Sequence, residues 1–482
     1  MTTFANEQTA GGEAGQRIAL VGLGIYVVFA PHSVAASVIG VAIAGIGWLL
    51  RTLQTRRLGL RWSGFDLIIV LSLLWTAASA LLSEEPRISI AKLGASWCVF
   101  IFYLARATVT RRAALILVAL LIVSGSAGAL YSAFDLLRGR GVVVESIAAG
   151  SPFSQLGIRP GDTIWQINRR RVYSATDIDQ ILVQSAPNTR VSVGIIAQGE
   201  QVERSFTLAQ ASNSGVVGTE HNHRFRASGW TRHYETFAEL MQMIALLALG
   251  LALAHLRNHG PNRVFKIALI AAALLTAGLV FTAMRTVIVA SVIGASVMAL
   301  RSLRATLRVV FTFALFAVLA FAAVVVWQTR DRNALLLGDP SSSLRYQVAR
   351  NGLSRILIHP VFGHGMDAMQ LHWNEWGFPG KDMLHLHSTP LQLAFDRGLP
   401  MLALWLWMVI LFWLTIARAE RRAADLSDTN FYGILLGTLG ALTGFLMSSL
   451  VNYNYGDAEV AMMFWFLMGI ALSTDYADSS SA

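Results

Sequence analysis

Residues 34–61, "VAASVIGVAIAGIGWLLRTLQTRRLGLR", carry the organising signal of this chain. An apolar run stops at Arg51, and Arg56, Arg57 and Arg61 follow it. A helix that crosses a bilayer needs about 20 mostly apolar residues, because each adds only about 1.5 Å of rise. Arginines clustered just past such a run mark the side that is not translocated. The pattern recurs, with apolar runs near 17–31, 34–50, 64–82, 90–107, 112–134, 236–256, 264–283, 284–300, 306–328, 395–417, 430–450 and 457–473. Arg106, Arg111 and Arg112, then Arg257, Arg263 and Lys266, then Arg301, Arg304 and Arg308, then Arg418, Arg421 and Arg422 fill alternate loops. The expected fold is an all-α polytopic membrane protein of about 12 transmembrane helices, with both termini in the cytoplasm.

Composition agrees. The chain has 482 residues, is 55% hydrophobic and only 14% charged. A soluble chain carries roughly 25% charged residues, so one large soluble core is excluded. The formal charge of +10 is mostly this loop asymmetry. No basic face is clustered on a folded domain, so no nucleic-acid partner is expected. The single cysteine, Cys98, cannot form an internal disulfide. Arg17 is the one cation before the first apolar run, behind Glu7 and Glu13, which predicts an uncleaved first span.

Two long segments, 136–235 and 329–394, fall on the outer side. In the first, Thr163 to Asn168 alternates with period two after a Pro160-Gly161-Asp162 turn and predicts a strand. Ala175 to Val183 predicts a helix capped by Ser174 or Thr176, and a hairpin turning at Gln198-Gly199 closes the unit. The run "GSPFSQLGIRPGDTIWQINRRRV" (150–172) resembles bacterial PDZ domains. Such domains bind an extended peptide as an added strand. The resemblance implies a carboxylate loop near Gly141, Val142, Val143 and Val144, and a peptide or protein partner. After the module, His221, His223, Arg224, Arg226, Arg232 and His233 with Trp230 and Tyr234 read as an interface anchor, or as a surface for anionic lipid headgroups or a lipid pyrophosphate.

The second segment predicts an amphipathic helix over 340–358 and ends on "HLHSTPLQLAFDRGLPMLALWL" (385–406). Three stretches together resemble the O-antigen ligase and polymerase family of bacterial membrane glycosyltransferases. They are "FTAMRTVIVASVIG" with Arg285, "LRYQVARNGLSRILIHPVFGHG" with Arg345 and Gly363, and the 385–406 run with His387, Gln392, Asp396 and Gly398. Met284 and Ser388 depart from the family's usual Ser and Asn. The resemblance implies transfer of a glycan from undecaprenyl pyrophosphate to lipid A core or a growing glycan, at the periplasmic face of the inner membrane. His387 would be the catalytic base, with Arg285 and Arg345 holding pyrophosphate and His385, Gln392 and Asp396 in support. Independently, an always-charged guanidinium suits an anionic leaving group, and histidine is the usual base near neutral pH.

The expected organisation is helices 1–5 in 1–135, a periplasmic PDZ-like domain in 141–209, helices 6–9 in 236–328, the active-site loop in 329–394, and helices 10–12 with a cytoplasmic tail in 395–482. No cofactor is expected. His364, His372, His385 and His387 with Asp382 match no compact zinc signature, so no metal is expected either. A protein O-oligosaccharyltransferase is the alternative enzyme, and a PDZ-bearing envelope scaffold or a transporter the alternative without chemistry.

Overall fold

The structure is a computed structural model that describes residues 2–60, 62–168, 170–197, 200–208, 214–231, 233–329, 340–380, 385–425 and 428–473. Six helices come first: α1 (Thr2–Phe29), α2 (Val34–Thr55), α3 (Gly64–Leu82), α4 (Pro86–Lys92), α5 (Phe100–Thr108) and α6 (Arg111–Arg138). A small domain follows, with β1 (Arg140–Ile147), β2 (Thr163–Ile167), β3 (Arg170–Arg171), α7 (Ala175–Gln184), β4 (Thr189–Ala197), β5 (Glu200–Leu208) and β6 (Val216–Asn222). The chain then returns to helices: α8 (Tyr234–His259), α9 (Arg263–Val280), α10 (Arg285–Ser302) and α11 (Ala305–Thr329). The remainder comprises α12 (Pro340–Ile356), α13 (Ala368–His372), α14 (Thr389–Ala423), α15 (Thr429–Ser449) and α16 (Ala458–Ala471).

Among the described residues, 10 helical segments are long and apolar enough to cross a membrane. This multi-pass protein therefore shows fewer such helices than the apolar runs suggest. The first run lies in α1, whose polar N-terminal half keeps it out of that set. The last lies in α16, whose 14 residues reach only about 21 Å, against a core about 30 Å thick. The run at 90–107 is among the ten, within Pro86–Thr108, although a 3₁₀ stretch, Leu93–Val99, separates α4 from α5.

Helices α8 and α15 form the buried centre. They can approach closely because glycines meet there: a Cβ on Gly250 would lie 2.5 Å from the Cα of Gly437. Small residues at a crossing let two backbones touch, which is how helices associate where lipid is as apolar as leucine. At the end with the basic loops, two buried charges are paired. Arg106 Nη1 lies 3.0 Å from Asp66 Oδ1, and Arg301 Nε donates to Glu420 Oε2 at 2.8 Å.

The sheet sits at the other end, with antiparallel order β5-β4-β2-β1-β6 and β3 paired to β2. Val142, Ile164, Ile167, Ile178, Leu182 and Val193 form its core with no exposure. Ser174 caps α7: its Oγ accepts from Asp177 N–H while Asp177 bonds back to the Ser174 amide. The hairpin turn expected at Gln198-Gly199 lies outside the described residues.

Two sequence expectations change here. The sheet extends beyond 141–209, because β6 pairs with β1 from Arg140↔Asn222 to Ile147↔Val216. Gly141 to Val144 is therefore not an open carboxylate loop. It is the middle of β1, with β2 on one edge and β6 on the other. Any strand added by a ligand must go to an outer edge, such as that of β6 beside α7, where Ser214 N–H donates to Asp179 Oδ1 at 2.7 Å. The domain is tied to α6 through buried Arg140, whose Nε donates to Asp135 Oδ2 at 2.5 Å. Arg171 bonds the other Asp135 oxygen at 3.1 Å.

Candidate active site at the sheet-bearing end

His387 ends an irregular segment just before α14. Its φ of 53° is left-handed, a region non-glycine residues occupy only when their surroundings enforce it. The surroundings are visible. The Leu386 amide donates to Gln392 Oε1 at 2.7 Å, and Gln392 Nε2 donates to Asp396 Oδ1 at 2.8 Å. Gln392 and Asp396 are buried, so this relay holds the backbone between the two histidines from within α14. Ser388 caps α14, its Oγ facing the Leu391 amide at 3.5 Å. It thus fills the capping role an asparagine would serve.

The histidines are close. The His387 amide donates to His385 Nδ1 at 3.2 Å, and the rings stand 4.4 Å apart at 71°. Burial, then the neighbouring His385 and the Arg345 charge, hold His387 down to about 3. Burial also lowers His385; Glu235 opposes this and Arg345 adds to it. Arg345, on α12, is 3.6 Å from Glu235 at the start of α8. Arg345, His385, His387 and Glu235 thus form one electrostatic cluster in which both rings resist protonation.

Arg285 opens α10 after a turn in which Ala283 also has a left-handed φ, 51°. Its neighbour Thr286 joins that turn to the cluster. Asn452 Nδ2 donates to Thr286 Oγ1 at 3.1 Å, while the Asn452 carbonyl accepts from the Thr389 amide at 3.1 Å. The N-termini of α10 and α14 are therefore linked through one asparagine. Glu239, inside α8, completes the scaffold by accepting from Ser448 at 2.8 Å. Arg226 braces the same turn: its Nε donates to the Thr282 carbonyl at 2.9 Å, and its guanidinium lies 3.4 Å from the centre of the Tyr234 ring. Arg226 is buried, so this part of the basic, aromatic stretch is a brace and not an exposed anchor. Trp230 stacks on Tyr131 at 4.3 Å.

Two of the motif stretches meet directly. Leu399 N–H donates to the Pro360 carbonyl at 2.7 Å, and the amides of His364 and Gly365 bond the carbonyls of Phe395 and Asp396. At the joint, Gly363 (φ 72°) faces Gly398 (φ 81°), the non-helical residue that breaks α14. A Cβ on Gly398 would strike the Val361 carbonyl, and one on Gly363 would lie 2.5 Å from the Arg397 nitrogen. Glycine is needed at both positions for space as well as for φ.

Sequence reasoning missed Asn452, Glu235 and the bracing role of Arg226. One signal for Asn452 was available: "NYNYGD" (452–457) is a polar knot between two apolar runs. Below the Arg285 turn lies an apolar cavity of about 350 Å³ between α8, α9, α10 and α11, lined by residues such as Leu249, Ala273, Ile288, Val292 and Phe321.

Residues 270–406 match the O-antigen ligase family, and residues 143–196 match the PDZ domain. The chain carries an O-antigen ligase domain with a PDZ domain ahead of it. The ligase match contains Arg285, Arg345, His385, His387, Gln392 and Asp396. It supports a membrane glycosyltransferase of the O-antigen ligase or polymerase type. The curated relatives match short segments of the chain. A DegP-like periplasmic serine endoprotease of Hahella chejuensis is 25% identical over 90 residues, 18% of this chain and 19% of the relative. The periplasmic pH-dependent serine endoprotease DegQ of Escherichia coli is 28% identical over 84 residues, 17% of this chain and 18% of its own. The magnetosome formation protease MamE of Magnetospirillum gryphiswaldense is 28% identical over 83 residues, 17% of this chain and 11% of its own. The chain thus spans less than a fifth of the length of each of these relatives.

Proposed function

We propose that the protein transfers a glycan from undecaprenyl pyrophosphate to an acceptor hydroxyl at the periplasmic face of the inner membrane. The acceptor would be lipid A core or a growing glycan. The observation that carries this reading is the cluster of Arg345, His385 and His387, joined through Asn452 to the turn that presents Arg285. His387 accepts the proton of the acceptor hydroxyl as that oxygen attacks the anomeric carbon. The bond from that carbon to the pyrophosphate oxygen breaks, and undecaprenyl pyrophosphate leaves with the electron pair. Arg285 and Arg345 stabilise the leaving charge with forked donors. The apolar cavity below Arg285 is suited to the first isoprene units of the lipid.

A base held near 3 is weak, but Arg345 contributes to that depression. An anionic pyrophosphate bound beside Arg345 offsets that charge and raises the imidazole, while burial, the larger cause, still holds it down. The periplasmic placement of the site and of the PDZ domain, with both termini cytoplasmic, rests on the loop charges and on the periplasmic relatives. The PDZ domain would bring a peptide-bearing envelope partner to the site.

The deciding experiment is reconstitution of the purified protein with lipid-linked glycan and acceptor, combined with a deletion strain. Transfer that depends on His387, with loss of glycan-capped lipopolysaccharide in the strain, supports a ligase. Single-repeat glycans point to a polymerase, and unglycosylated proteins with normal lipopolysaccharide point to protein glycosylation. Full transfer by His387→Ala would refute the assignment of the base.

A further inference from the structure

Away from the transfer cluster, two distant parts of the chain bring a second group of histidines and carboxylates together. Glu84 lies in the turn between α3 and α4, whereas His359 and His364 lie in the loop after α12. Glu84 Oε2 is 2.6 Å from His364 Nδ1 and 3.8 Å from His359 Nε2, and the three ligand atoms all lie within 4.8 Å of one another. Ligand atoms around a tetrahedral zinc ion with bonds of about 2.0–2.1 Å stand about 3.3 Å apart. The 3.8 Å pair is near that spacing, whereas the 2.6 Å pair is now in hydrogen-bond contact and opens by roughly 0.7 Å to admit an ion.

His364 makes the case more than a coincidence of residue types. Its side chain is 1% exposed, packed against Phe395 and Trp376 at 4.7 and 4.8 Å. Its Nε2 sits 3.0 Å from the Arg355 carbonyl, an acceptor only, so Nε2 carries the hydrogen. In the neutral ring, Nδ1 then presents a lone pair to the carboxylate oxygen of Glu84. Two lone pairs at that separation repel unless a proton or a metal ion lies between them. A ring nitrogen fixed by a backbone carbonyl while the other faces a carboxylate and a second imidazole is the arrangement that orients histidine on a metal.

We propose that Glu84, His359 and His364 bind a divalent transition-metal ion of the zinc class. Two imidazoles and one carboxylate make a borderline donor set suited to Zn²⁺. Glu84 and His359 are 39% and 46% exposed, which leaves a coordination position for water. The ion ties the 359–364 loop to the α3–α4 turn, and so braces the joint where Gly363 meets Gly398. Its role is structural support of the loop and is independent of the glycan-transfer reading. The neighbouring His372, held between Glu85 at 2.8 Å and Glu375 at 2.6 Å, is a separate acid–imidazole group and takes no part.

The test uses the full-length, untagged chain in detergent, stripped with a chelator, desalted and titrated with zinc chloride alone. Zinc retained after desalting is measured by mass spectrometry, and the thermal midpoint is followed in parallel. The expected result is saturation at one zinc per chain, with a higher midpoint. His359→Ala and Glu84→Gln weaken binding at least about tenfold; His359 is 46% exposed, so its variant preserves the metal-free midpoint, whereas Glu84 also faces buried His364 and its variant is compared at its own metal-free midpoint. His372→Ala leaves zinc binding unchanged. Absence of saturable zinc, unchanged affinity in His359→Ala and Glu84→Gln, or loss of zinc in His372→Ala would each overturn the proposal. In the first case a proton, not a metal, bridges His364 and Glu84.

Discussion

At the scale of single residues, His387 and Arg285 carry the sharpest expectations. His387→Ala removes the proton acceptor and should lower kcat by about 10²–10⁴-fold while donor binding persists. Arg285→Lys keeps the charge but loses the fork, and a fall in kcat of about 10²-fold or more is expected in the reconstituted assay. The His387 environment also sets a pH dependence of stability. Its pKa in the fold, about 3, lies below the ordinary value of about 6.5. Between these values the unfolded chain takes up a proton that the folded chain refuses, so stability falls as pH drops from about 6.5 toward 3. In His387→Gln the thermal midpoint should vary less across that window, as read by unfolding in detergent. These residues were legible in the sequence because each chemistry admits few residue types. The partners Glu235 and Asn452 were not, since glutamate at a helix start and asparagine after a span are ordinary occurrences.

At the scale of elements, the break in α14 is the clearest case. The sequence marks an apolar run from 395, yet the helix starts at Thr389 and is interrupted at Gly398. That interruption lets the loop after α12 dock through Pro360, Gly363 and His364. Gly398→Ala should destabilise the protein by about 1–3 kcal/mol or more, because it combines a strained φ with a clash against Val361; a thermal-unfolding comparison reads this directly. Asn452→Ala should separate the α10 and α14 termini, lowering kcat with a smaller effect on the midpoint. A loss of stability without loss of turnover would show that the bridge is only structural. Strand and helix positions in the PDZ domain were readable from period-two alternation and the Ser174 cap. The pairing of β6 with β1 was not, because a strand far along the chain, pairing Arg140 with Asn222 and Ile147 with Val216, carries no local mark of its partner.

At the scale of the whole molecule, the PDZ domain is bolted to α6 by Asp135, Arg140 and Arg171 but lends no side chain to the transfer cluster described above. Replacing 140–222 with a flexible linker, together with Asp135→Asn to avoid an unpaired buried charge, should leave transfer intact in detergent. In cells the same change should lower yield or alter chain length on glycan gels. Loss of activity in the purified, folded variant would make the domain part of the active site. The sequence by itself determined the membrane class, most of the spans and the presence of a soluble module, because bilayer insertion and strand alternation are one-dimensional requirements written along the chain. Only the tertiary structure decided that Glu84 meets His359 and His364, that Asn452 links two helix starts, and that β1 has no free edge. Those contacts join residues far apart in sequence, and they depend on how helices cross and loops fold back, which no local pattern records.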